Sequence, residues 1–110
     1  MSEPLTLPRP LAIRLLHAAQ LAQPEPVQGW VLSDGSGQPA RFVLGAERPP
    51  ARVWARLWSE PAAPAVPQPA QLAEGERVLV ISLDTRGVLE LRAWTLQQGQ
   101  LRELVLIAAG

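Results

Sequence analysis

The hydrophobic period changes once along this chain, and that change limits what it can fold into. From Leu11 to Gln23 apolar residues recur at helical spacing: Leu11, Leu15, Ala18 and Ala22, with Leu16 and Ala19 widening the stripe. Arg14, His17 and Gln20 fall on the opposite face. Pro8 and Pro10 fix the entry, since the N–H that proline lacks would be unpaired in a first turn anyway. Gln23-Pro24-Glu25-Pro26 ends the segment. Beyond it the pattern becomes a series of short runs: Val27 to Ser33, Arg41 to Gly45, Arg52 to Trp58, Arg77 to Leu83, Val88 to Leu96 and Leu101 to Ile107. Turn signals separate them at Asp34-Gly35-Ser36-Gly37, Pro49-Pro50, Asp84-Thr85-Arg86-Gly87 and Gln97-Gln98-Gly99-Gln100. The expected architecture is α+β, a single domain over residues 1–110. One amphipathic helix packs on a mixed, mostly antiparallel sheet that ends in a three-stranded meander.

Composition narrows the function. A chain of 110 residues with 47% hydrophobic content can build a core, so wholesale disorder is not expected. Ten arginines and no lysine balance ten carboxylates, and zero net charge gives no long-range pull on nucleic acid or an anionic membrane. Without cysteine there is no disulfide, thiolate nucleophile or Cys-based zinc site. His17 alone makes no histidine-rich metal centre, and on the polar face of a helix it reads as solvated. The start of the chain does not read as a signal peptide, and no apolar run reaches membrane-spanning length. A cytoplasmic, metal-free domain without cofactor is the expectation. No Gly-x-Ser-x-Gly elbow, phosphate loop or dinucleotide fingerprint is present.

Two segments stand out. Residues 61–75 hold Pro61, Pro64, Pro67 and Pro69 among alanines, which reads as an extended surface linker with one helical turn near Ala70 to Ala73. In Arg52-Val53-Trp54-Ala55-Arg56-Leu57-Trp58, a period of two sends Arg52, Trp54, Arg56 and Trp58 to one face. Alternating guanidinium and indole groups there can stack, and both residue types are rich in interface hot spots. The alternative is that the indoles fill a second small core beneath the helix or the proline loop.

The order of elements resembles the bacterial JAMM/MPN (JAB-type, Mov34/PAD-1) metalloproteases over residues 5–107. Leu7-Pro8-Arg9-Pro10-Leu11 matches the lead into their helix. Gln28-Gly29-Trp30-Val31-Leu32 stands where a Cys-Gly-Leu-type strand begins, and Val78 to Leu83 with Leu89 to Trp94 matches the closing meander. The resemblance implies a compact MPN-like (cytidine-deaminase-like) fold. It also locates a site, because active members bind zinc through a His-x-His-x7-Ser-x-x-Asp frame and activate water with a glutamate. Laid on this chain, the histidine positions are Trp58 and Glu60. The serine and aspartate positions are Gln68 and Gln71, and the glutamate position is Pro26, with Glu25 beside it. Only Pro61 of the motif persists. The segment Ala46 to Ala51 replaces an additional helix of the family, and Gly75 trims the one after the Asp position.

The reading that follows is a catalytically inactive MPN-like interaction or scaffold module. Its binding surface comprises Arg52, Trp54, Arg56, Trp58 and Glu60. The resemblance implies a protein partner, either an active paralogue or a ubiquitin-like or sulfur-carrier protein, and homo-oligomers stay open. The competing reading is a hydrolase rebuilt around Glu60 and Glu25, which would need environments that split two carboxylate pKa values.

Overall fold

The computed structural model describes residues 4–45, 48–84 and 89–109. In chain order the elements are β1 (Leu5–Pro8), α1 (Arg9–Ala22), β2 (Gln28–Ser33), β3 (Pro39–Leu44), β4 (Val53–Glu60), a 3-10 turn (Pro69–Gln71), β5 (Arg77–Ser82), β6 (Glu90–Gln97), β7 (Gln100–Leu104) and β8 (Leu106–Ala109). The main sheet has the order β3-β2-β4-β5-β6-β7, and β1 pairs with β8 in a separate parallel ribbon. Every neighbouring pair of the main sheet is antiparallel except β4 and β5, which run parallel. The fold is thus α+β with a mixed sheet. No helix among the described residues is long and apolar enough to cross a membrane.

Helix α1 buries Leu11, Ala12, Leu15 and Ala19 against Val31, Ala55, Leu57, Leu79, Ile81 and Ala93. The stripe therefore runs through Leu11, Leu15 and Ala19, with Ala18 and Ala22 on its flanks, while Arg14, His17 and Gln20 are exposed. The β2–β3 connection is set by Asp34, whose Oδ1 accepts from the Ser36 N–H (2.8 Å), the Ser36 hydroxyl (2.7 Å) and the Gln38 N–H (3.1 Å). These donors, the Ser36 hydroxyl first, hold its carboxyl below the usual carboxylate range. At the β6–β7 hairpin Gln98 and Gly99 both have positive φ, the twist a two-residue turn requires. The antiparallel β5–β6–β7 meander is present, although Thr85 to Val88 of its first connector lie outside the described residues.

Three features depart from the sequence expectation. Leu5–Pro8 is a strand that its short run between prolines does not signal. The predicted last strand divides at Val105, whose carbonyl accepts from Leu5 N–H at 2.8 Å, so its second half turns away to pair with β1. The proline segment is not a bare linker. Ala65, Pro67 and Leu72 are buried, and Ala65 and Leu72 form a core with Val78, Val80, Trp94 and Leu96 on the sheet face opposite α1. Trp94 Nε1–H donates to the Ala65 carbonyl (2.9 Å), and the Ser82 hydroxyl donates to that of Ala63 (2.7 Å). Side chains thus give this loop the partners its prolines cannot supply as donors. Covered on both faces, Val78 to Ile81 of β5 are entirely buried, as a continuous apolar strand requires.

Candidate functional site

A cleft of about 850 Å³ opens on the loop side of the sheet, between the start of β2, the end of β4 and the 3-10 turn. Pro26, Trp58, Glu60 and Gln71 all line it. These are four of the five positions that the JAMM/MPN frame assigns to the family's site, drawn from separate parts of the chain. The fifth, Gln68, stands at the N-cap of the 3-10 turn, where its N–H donates to Gln71 Oε1 at 2.7 Å.

Backbone and buried polar bonds fix the walls. Ser59, 2% exposed, accepts the Val27 N–H through Oγ (2.8 Å) and donates its own N–H to the Val27 carbonyl (2.9 Å). That reciprocal pair ties the segment carrying Pro26 to β4. Gly29 forms part of the floor, where β2 and β3 approach so closely that a Cβ would lie 2.1 Å from the Val43 carbonyl oxygen. On the opposite wall Arg56 donates to both carboxylate oxygens of Glu76, from Nε at 2.8 Å and Nη2 at 3.0 Å, and Nη2 also donates to the Gln71 carbonyl. The Arg56 guanidinium lies over the Trp58 ring, 5.0 Å from its centroid. Trp58 is half-buried against the loop-side core, and its Nε1–H donates to Glu60 Oε1 at 3.0 Å.

The five residues expected to share a surface therefore divide. Arg56, Trp58 and Glu60 converge on the cleft. Trp54 does not join them, because β4 carries a bulge: Val31 pairs with Ala55 but Leu32 pairs with Val53, so Trp54 has no residue opposite. The inserted residue breaks the alternation and re-aims the side chain. Trp54 packs against the helix-side core, and the cation over its ring is Arg77, at 4.5 Å, not Arg52. Arg52 precedes the strand, with φ of 63°, and its carbonyl accepts from Ser33 N–H (2.7 Å) and Oγ–H (3.1 Å). Trp30, by contrast, lines the cleft although no reading of β4 includes it. Its place follows from register, Trp30 opposite Arg56, and alternation within β2 puts it across the sheet from buried Val31.

The side chains gathered here do not fit the zinc that the family's frame implies. Tryptophan is not a ligand and a glutamine amide is a poor one for this ion. The cleft's carboxylate is Glu60, one of whose oxygens accepts from Trp58. Glu25 is exposed and does not line the cleft, and His17 lies on α1. Among the described residues no three of His, Asp and Glu come together.

No protein-family model matches the chain, and no curated protein matches it. Solved structures do. Protein DSY2949 from Desulfitobacterium hafniense has a TM-score of 0.68 at 16% identity, covering 96% of this chain and 92% of that one. A protein from Salinibacter ruber gives 0.62 at 17%, covering 96% and 91%. AF2198, a JAB1/MPN domain protein from Archaeoglobus fulgidus, gives 0.60 at 14%, covering 96% and 99%. Similarity at these identities speaks for the fold alone, and on that basis the chain has a compact MPN-like α+β fold.

Proposed function

We propose that this chain is a catalytically inactive MPN-like module that works by binding another protein through the cleft bounded by Trp30, Arg56, Trp58 and Glu60. The observation that carries the reading is the Trp58–Glu60 pair. The two positions where active members of the family place zinc-binding histidines hold an indole and a carboxylate bonded to each other. An indole there cannot polarise a carbonyl or lower the pKa of a water, which hydrolysis by the family's route requires. It offers instead a large, stiff contact surface beside a guanidinium already held in place by Glu76. Tryptophan and arginine in such a setting are the residue types that dominate binding energy at interfaces. The partners this reading favours are an active MPN-domain paralogue and a ubiquitin-like or sulfur-carrier protein, within a cytoplasmic bacterial setting.

The test is an NMR titration of the isotope-labelled chain with a ubiquitin-like sulfur-carrier protein and, separately, an active MPN-domain protein. One of them should shift the Trp58 indole resonance together with the Arg56 and Glu60 amides. Trp58→Ala should weaken that complex by at least about tenfold, the cost of losing one hot-spot side chain. Binding by neither protein, or unchanged binding by Trp58→Ala, would contradict the proposal.

A further inference from the structure

Among the described residues arginines lie over tryptophan rings at Arg56 on Trp58, Arg92 on Trp94 and Arg77 on Trp54. Two of these arginines are also neutralised. Arg56 pairs with Glu76 at 2.8 Å and Arg92 with Glu103 at 2.6 Å. Arg77 is the exception, since among the described residues its guanidinium has neither a carboxylate nor a hydrogen-bond acceptor. It is half-buried all the same, and desolvation pulls its pKa below the ordinary arginine value. The nearby carboxylates are committed elsewhere. Both oxygens of Glu76 accept from Arg56, and Glu74 accepts the Gln98 and Gly99 N–H groups.

Arg77 does not face a packed wall. It lines a cavity of about 420 Å³ with Leu5, Val53, Trp54, Thr95 and Leu104, which adjoins the Trp58 cleft through Arg56, a residue that lines both. That volume is within the usual range for small-molecule pockets. The sheet register adds a second charge nearby, because Thr95 stands opposite both Arg77 on β5 and Arg102 on β7. Arg102 is exposed and also lacks an ion pair among the described residues. Arg102 does not itself line the cavity, whereas Arg56, Glu76 and Gln97 do, Glu76 being neutralised by Arg56. Arg77 is thus the cation of the lining without a carboxylate partner among the described residues, and Leu5, Val53 and Leu104 supply the apolar part of a largely polar wall.

We propose that this cavity binds a small organic carboxylate, its carboxylate on the edge of the Arg77 guanidinium and its apolar body against Leu5, Val53 and Leu104. A guanidinium whose face rests on an indole keeps its edge donors, and two parallel N–H groups match the two oxygens of a carboxylate. The bulge at Trp54 has a function in this account: it turns the indole away from the Trp58 cleft and makes it the platform under Arg77.

The experiment is an NMR titration of the full chain with 3-phenylpropanoate, its neutral amide and inorganic phosphate, read at the Trp54 indole N–H. The carboxylate should give a saturable shift with Kd on the order of 1 mM or tighter, as expected for a ligand of this size. The amide should bind about tenfold more weakly, and so should phosphate, which lacks the apolar body. Arg77→Gln should lose about tenfold in affinity while resonances of the Trp58 cleft stay in place. Arg77→Lys, which keeps the charge without the fork, should lose several-fold. No saturable shift with the carboxylate would overturn the proposal. So would amide or phosphate binding at equal strength, or unchanged affinity in Arg77→Gln.

Discussion

Replacing Arg56 with alanine tests whether the proline loop is held to the sheet by the contacts described above. Arg56 and Glu76 have side chains 31% and 26% exposed, so their pair lies between a surface ion pair, worth about 0–1 kcal/mol, and a buried one, whose disruption costs about 3–5 kcal/mol. Two near-parallel bonds at 2.8 and 3.0 Å suggest about 1–2 kcal/mol for the pair. Stacking on Trp58 adds about 0.5 kcal/mol, and the donor lost by the Gln71 carbonyl about another 0.5–1 kcal/mol. The expected cost is about 2–3 kcal/mol. With an m value near 1.5 kcal/mol/M, the urea midpoint should fall by more than about 1 M. A double-mutant cycle with Glu76→Gln should return a coupling of about 1 kcal/mol, isolating the ion pair from the stacking. Protection of the Leu72 amide from hydrogen exchange should fall with it, because the 3-10 turn loses its tether. A cost under about 0.5 kcal/mol, or no coupling to Glu76, would refute the view that Arg56 anchors the loop.

Two other substitutions probe neighbouring parts of the account. Gly29→Ala places a Cβ 2.1 Å from the Val43 carbonyl oxygen and 2.8 Å from the Leu44 Cα, both backbone atoms, so β2 and β3 must part. A loss of about 3 kcal/mol or more in urea unfolding is expected, and a loss under about 1 kcal/mol would mean that the strands are not so close. Glu103 is held below the usual carboxylate range, first by its hydrogen bond from Arg92 and then by that residue's charge. A depressed folded-state value means the pair stabilises the fold above the unfolded-state pKa and loses its effect as pH falls through the folded-state value. Wild type should therefore exceed Glu103→Gln by about 0.5 kcal/mol at neutral pH, a small gap because the pair is largely exposed, and the gap should close in acid. A gap that widens on acidification would reverse the assigned sign.

Local patterns were legible where one element decides its own structure. The helix, the β2–β3 turn at Asp34 and the Gln98-Gly99 hairpin each follow from residues a few positions apart. The period of two also placed Arg56 and Trp58 together, and the JAMM/MPN frame placed Trp58, Glu60, Gln71 and Pro26 at one site that the fold does assemble. What escaped depends on pairing at a distance. The bulge that separates Trp54 from Trp58 is a property of register between β2 and β4, and the β4 run alone alternates without interruption. The Arg56–Glu76 pair spans 20 residues, and Trp94 and the Ala65 carbonyl to which it donates are 29 apart. The second core beneath the proline loop was therefore legible only as an alternative for the tryptophans. Its composition, rich in proline and alanine, is the same for a linker in water and for a loop whose small residues fit closely over a sheet.

The most direct test of the central claim is native mass spectrometry of the purified chain with added zinc, comparing wild type with Glu60→Gln. A cleft built on Trp58 and Glu60 bonded to each other should leave the mass unchanged at stoichiometric zinc in both proteins. A one-to-one zinc adduct in wild type that survives mild chelation and disappears in Glu60→Gln would contradict the account, and would make this cleft a rebuilt metal site.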